Sequence, residues 1–212
     1  MRQTQRERQV TFAPEQSASS VNCVKASLAL ASFALLGATG PVCAADSYTL
    51  DAGHTFPRFE INHFGFSTHR GQFNKTAGKL VLDRAAKTGS VEITVQTASI
   101  GTGDPKLEEH LRSPDFFNVE KFPTMVFKAK TIKFNGDVPA SAEGELTLLG
   151  VTKPLTLTIS RVVCAPHPFY KKEDCGAEVS GTLKRSEFGM TKYVPALGDE
   201  VKLAIQVEAI KD

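Results

Sequence analysis

Five histidines, at positions 54, 63, 69, 110 and 167, are the residues of this 212-residue chain best suited to proton transfer or metal binding near neutral pH. His54, His63 and His69 crowd one stretch, nine and six residues apart. Metal ligands carried on one element usually repeat at helix or strand spacing, as in His-Glu-x-x-His, and these intervals fit neither. No metal is therefore expected. Asp51, His54 and Ser67 supply the residue types of an acid–base–nucleophile set, but no serine sits in a Gly-x-Ser-x-Gly turn. The plainer reading of these histidines is a polar rim; the alternative is an enzyme that uses the His54/His63/His69 region.

The same stretch is rich in phenylalanine. Phe56, Phe59, Phe64, Phe66 and Phe73 fall within eighteen residues, and Phe116, Phe117 and Phe122 follow. Such rings build a core or line a pocket equally well. Arg58, Arg70, Lys79 and Arg112 lie near them in sequence, either as a solvated face or as cations for an anionic headgroup at a pocket mouth.

The four cysteines divide by position. Lys25 precedes the uncharged run Ser27–Ala38, whose twelve residues are too few to cross a bilayer, which takes about 20. A basic residue, a short apolar run and the small-residue exit Val42-Cys43-Ala44 together read as a secretory signal over residues 1–44. Cleavage before Ala45 removes Cys23 and Cys43 and leaves only Cys164 and Cys175 in the mature domain, 45–212. In an exported, periplasmic chain that pair is expected as one disulfide bracketing APHPFYKKED. Cleavage also removes four of the 25 basic and two of the 23 acidic residues, leaving 21 of each. So balanced a chain gives no case for nucleic-acid binding.

The elements that carry these residues are strands. Val91–Gln96 and Val201–Glu208 alternate apolar and polar, and Met125–Lys130 and Leu155–Ser160 do the same. Phe59/Ile61, Leu80/Leu82, Leu146/Leu148 and Val179/Leu183 complete about eight strands. Lys87-Thr88-Gly89, Asn135-Gly136-Asp137 and Leu149-Gly150-Val151 read as breaks between them. Two short helical segments are expected, one opened by Asp104-Pro105 and one at Ser186–Met190. The pattern fits a sandwich or a closed barrel; only a barrel encloses an interior wide enough for one elongated ligand.

Four segments carry a further resemblance: YTLDAGHTFPRFEINHFGFSTHRGQF (48–73), HLRSPDFFNVEKFPTMVFKA (110–129), GELTLLGVTKPLTL (144–157) and KRSEFGMTKYVPALGDEVKLAIQVEA (184–209). Together they resemble the YceI-like family of exported, lipocalin-like polyisoprenoid-binding proteins across residues 46–210. One departure is Thr55, where the family usually has serine after histidine. The resemblance implies an all-β fold: an eight-stranded antiparallel lipocalin-like β-barrel with short capping helices. It implies no enzymatic reaction and no cofactor, only a bound isoprenoid-type lipid, with a quinone or fatty amide as related occupants. The expected lining comprises the aromatics Phe59, Phe64, Phe66, Phe73, Phe117, Phe127 and Phe188. The strand residues Ile61, Ile93, Val95, Leu157 and Ile205 and the helical Leu107 and Leu111 complete it. His54, His63 and Arg70 are expected at the mouth. A carrier or scavenger, monomeric or homodimeric, follows, with contact to a membrane surface or redox protein; a quinone-presenting accessory of a membrane redox system is the other non-enzymatic reading.

Overall fold

The computed structural model describes residues 45–212, so the expected signal segment and its cleavage point lie outside the described residues. In chain order the elements are β1 (Asp46–Leu50), β2 (Phe56–His63), β3 (Ser67–Phe73), β4 (Thr76–Asp83), β5 (Thr88–Gln96) and β6 (Ile100–Gly101). Helix α1 (Pro105–Arg112) follows, then β7 (Thr124–Asn135), β8 (Val138–Leu148), β9 (Val151–Pro166), β10 (Glu173–Lys184) and β11 (Leu197–Lys211). All pairings are antiparallel, and the ring β1-β4-β5-β7-β8-β9-β10-β11 closes through β1 and β11. The fold is thus an eight-stranded closed antiparallel barrel.

The alternation read from sequence decides which face looks inward. Ile93 stands opposite Phe127, Phe127 opposite Leu146, and Val179 opposite Ile205, all on the inner side. The intervening residues are mostly polar or charged and some pair outside, as Lys128 does with Glu92 at 2.9 Å. Apolar inside and charged outside is the reverse of a membrane-spanning barrel.

One edge of β11 serves two neighbours. Its C-terminal end pairs with β1 (Leu50 opposite Ala209), and its N-terminal part pairs with β2 (Ile61 opposite Val201). β2 continues into β3, and β3 meets β6 through only two residue pairs, Gln72–Gly101 and Phe73–Ile100. These three strands extend the wall beyond the ring. Pro57 lies where β2 still has β11 beside it but β3 pairing has not begun, so its missing N–H breaks no ladder bond on that side.

Two lids cover the end that β2 and β3 extend. In α1, Asp104 caps the start by accepting from the backbone N–H groups of Lys106 and Leu107, with Pro105 in the first turn. Two turns of helix do not persist alone. Arg112 anchors this one by donating to the carbonyls of Ala98 and Ile100 at 3.0 and 3.2 Å. The second lid is the 3-10 turn Arg185–Phe188 and the loop that leads to β11. Arg185, 2% exposed, donates from Nε to Gly198, from Nη1 to Met190, and from Nη2 to Lys192 and Leu197, all backbone carbonyls. Burial draws its guanidinium below the ordinary value, with Asp199 acting against that. His110, Phe116 and Tyr193 cluster with ring centroids 4.9–6.5 Å apart and join the two lids.

The opposite end is closed by a polar plug. Tyr48, fully buried, donates its hydroxyl to Glu173, and Arg84 donates to both Tyr48 and Glu173 at 3.0 Å. Burial and the Glu173 carboxylate push the Tyr48 phenol well up. Burial opposes ionisation of Glu173 too, but the Tyr48 and Arg84 hydrogen bonds outweigh it and hold the carboxyl below its usual range. Cys164 and Cys175 face each other across β9 and β10 and are bonded, beside Arg84. Replacing both cysteines by serine is expected to cost about 3 kcal/mol at most in urea denaturation, the chain-entropy value for so short a loop. A much larger loss would mean that the sulfurs, not the Tyr48–Arg84–Glu173 network, hold the base.

Candidate functional site

The barrel encloses two chambers of about 320 Å³ each. The upper one lies beneath the lids and the lower one above the plug. Ile93, Phe127, Leu157, Ile205 and Val207 belong to the walls of both, so the chambers meet at a waist made only of hydrocarbon. Gly181, also facing inward, leaves room there: a Cβ on it would stand 2.8 Å from Leu157 Cδ2. Above the waist, Gly71 plays the same part for the Phe59 ring, which a Cβ would meet at 2.5 Å. Each chamber lies within the size range of small-molecule sites, roughly 300–1,000 Å³.

Twelve expected lining residues stand in the upper chamber wall: Phe59, Ile61, Phe64, Phe73, Ile93, Val95, Leu107, Leu111, Phe117, Phe127, Leu157 and Ile205. Leu107 and Leu111, one turn apart on α1, face the cavity together. Two expectations fail. Phe66 is 90% exposed at the β2–β3 tip, outside the cavity. Phe188 is 3% exposed but packs in the core under its turn rather than along the cavity. Aromatic composition shows that a ring needs a place, not which side of the wall it takes.

The histidines also separate. His63 and His69 stack face to face, 3.9 Å between centroids, and both line the upper chamber with Arg70. His54 does not join them. It precedes β2, and the eight residues of that strand put it roughly 25 Å from His63. There its Nδ1 meets Asp51 at 2.8 Å; that hydrogen bond raises His54 and holds Asp51 below its ordinary value. Ser67 pairs with His63 at the other end of β2, so Asp51, His54 and Ser67 do not assemble. Asp51, His54 and Glu208 do bring three potential ligand atoms within 4.8 Å, on the outer surface and away from both chambers.

The remaining basic candidates are spoken for. Arg58 donates to Gln72 and Arg70 to Glu60 across the β2–β3 ladder, while Lys79 pairs with Asp212 outside the barrel and Arg112 secures α1. The sequence reading expected a helical turn at Ser186–Met190 but missed the side chains that this lid brings to the cavity. Arg185, Met190 and Tyr193 all reach the upper chamber from an irregular loop that carries no periodic signal. Val207 was within reach, since it continues the alternation of Val201, Leu203 and Ile205.

With an apolar bore, two lids and a plugged base described, the comparison with known proteins is direct. A YceI-like domain model matches residues 48–209. The chain belongs to the YceI-like family. A UPF0312 protein of Pseudomonas aeruginosa is 37% identical over 188 residues, covering 86% of this chain and 96% of its own. The crystal structure of the Campylobacter jejuni YCEI protein superposes with a TM-score of 0.60 at 29% identity, covering 72% of this chain and 90% of its own. A polyisoprenoid binding domain from Saccharophagus degradans, 12% identical, has the same fold with a TM-score of 0.57 over 78% of this chain and 98% of its own. In this YceI-like barrel the five residues shared by the two chambers are all apolar, while the buried Thr55 and Thr76 are polar members of the upper chamber wall.

Proposed function

We propose that this YceI-like protein is an exported carrier or scavenger that holds one long-chain isoprenoid-type amphiphile, a quinone or fatty amide included, without transforming it. The observation that carries this reading is the hydrocarbon waist, whose five apolar residues border both chambers and suit one elongated chain laid through them. An amphiphile with tens of carbon atoms has little solubility in an aqueous compartment and gains by burial wherever an apolar bore will take it. At about −0.3 kcal/mol per heavy atom, a forty-carbon chain reaches roughly −12 kcal/mol, enough for a carrier with no covalent step. The polyisoprenoid named for the Saccharophagus domain fits the same chemistry. Export draws support from the Ser27–Ala38 run and from a disulfide that an oxidising compartment would maintain.

Catalysis is disfavoured by the placement of the acid–base pair. Asp51 and His54 sit on the outer surface; of the histidines that face the cavity, His63 and His69 stack on each other and His110 packs against Phe116 and Tyr193. The lipid is then cargo, not a cofactor.

Native mass spectrometry of protein purified from its own host, followed by lipid extraction, should find one prenyl-chain amphiphile per chain. Ile93→Phe narrows the waist without adding polarity, and it should lower retained lipid severalfold while thermal stability holds. In a filled core the same change would cost ~1–3 kcal/mol. Empty wild-type protein, or that stability loss with no change in retained lipid, would overturn the carrier reading.

A further inference from the structure

The rim of the upper chamber carries aromatic rings that the chain does not bury. Phe66, at the tip of the β2–β3 hairpin, is 90% exposed, and Phe64 and Tyr193 are 44% and 49% exposed while also lining the chamber. Phe64 and Tyr193 each hold a positive φ, 53° and 61°. That backbone region favours glycine and asparagine and is costly for a bulky residue. The Phe64 turn is kept by Asn62, whose Oδ1 accepts from the Gly65 N–H at 2.8 Å, and by the Phe66 N–H on the His63 carbonyl. Two large rings thus hold positive-φ positions at this end of the barrel with much of their surface in water. Folding alone rewards neither the strain nor the exposure.

Cations accompany them. Arg70 stands on β3 near the β2–β3 tip, and the Lys192 ammonium lies 5.4 Å from the Tyr193 ring. Rings at headgroup depth with long cationic side chains reaching to phosphate are the composition of a surface that rests in a bilayer interface. The opposite end also exposes rings, Phe169 and Tyr170, but neither lines a chamber and Tyr170 stacks on His167 at 4.3 Å.

We infer that the cavity rim is a membrane-docking face: Phe66, Phe64 and Tyr193 enter the headgroup region of a phospholipid bilayer. The cargo then passes between bilayer and barrel without crossing water. This rests on the carrier reading, because a water-insoluble amphiphile resides in a bilayer and the rings stand at the end of the barrel where the upper chamber lies. The rim cations are partly neutralised, Arg70 by Glu60 and Lys192 by Asp115, so docking depends on the rings more than on lipid charge. Salt should weaken it only modestly.

The chain contains no tryptophan, so Phe66→Trp places a single indole at the tip. With vesicles of phosphatidylethanolamine and phosphatidylglycerol free of prenyl lipid, its emission should shift to the blue and be quenched by brominated acyl chains. Phe169→Trp at the far end should stay unquenched, and Phe66→Ser should lower vesicle co-sedimentation about tenfold, the scale of keeping one phenyl ring out of water. An indole at Phe66 that remains water-exposed at every lipid concentration overturns the docking face. So does quenching at Phe169→Trp instead. Slower delivery by Phe66→Ser to a protein acceptor, with no quenching by vesicles, would assign the rim to a protein partner. Cavity occupancy, read by native mass spectrometry after parallel incubation with vesicles that do contain a prenyl lipid, separates the two ideas. A loaded barrel with an unquenched indole sinks docking alone, whereas a quenched indole on a barrel that never loads sinks the carrier reading and leaves the docking face standing.

Discussion

Leu157→Asp is expected to empty the barrel and to lower its stability by about 3–5 kcal/mol, the scale of an uncompensated buried charge. Leu157 is 6% exposed and belongs to both chamber walls. Around it at the waist stand Ile93, Phe127, Ile205 and Val207, none of which can donate a hydrogen bond from its side chain. A carboxylate there loses its water and gains nothing in return. Its pKa must rise, so the penalty is full above the raised value, fades as pH falls through it, and vanishes below the ordinary carboxylate value. Lipid retention should recover along the same pH course if the fold survives. Leu157→Asn, polar but uncharged, should lose less and show no such pH dependence. Extracted lipid from the two variants, with chemical denaturation between pH 3 and 8, decides the matter. An aspartate variant that keeps its lipid at neutral pH would show that cargo does not pass the waist.

Arg185→Leu should cost about 2–5 kcal/mol, because it strands the carbonyls of Met190, Lys192, Leu197 and Gly198 together. The loss is local before it is global. The loop between the 3-10 turn and β11 has no strand partner of its own until Leu197 pairs with His63, so the guanidinium is what gives it one conformation. Limited proteolysis should cut between residues 189 and 197 in the variant and spare the parent. Arg185→Lys should recover only part, since a single ammonium cannot span acceptors that a planar fork reaches from three nitrogens. A leucine variant as stable and as protease-resistant as the parent would remove Arg185 from this role.

The residues that proved legible were those whose environment repeats. Ile93, Val95, Phe127, Leu157 and Ile205 each sit on the apolar side of a two-residue alternation, and the barrel turns that side inward. β3 escaped notice because its inward positions are His69 and Gly71 before Phe73, which leaves no apolar run to read. β1 has five residues and so offers only Tyr48 and Leu50 as buried signals, although it is the strand that closes the ring. Grouping His54 with His63 and His69 treated nearness in sequence as nearness in space, and a fully extended strand is where that substitution fails most. Arg185 was invisible for a different reason: its acceptors are backbone carbonyls, which every residue supplies and no residue type announces.

The shared edge of β11 makes the two ends of this vessel mechanically unlike. At the base, β1 clasps β11 and β4 in a continuous hoop, tightened by the plug and the sulfur bridge. At the neck the circumference is completed where β3 meets β6, over two residue pairs with the Asn74 and Lys75 N–H groups donating to Ser99 beside them. A hoop resists widening with every bond in its ladder, while a slit collar yields at its shortest join. A bulky guest entering between the lids is therefore expected to find more give at the neck than at the base, where the whole ladder holds the bore.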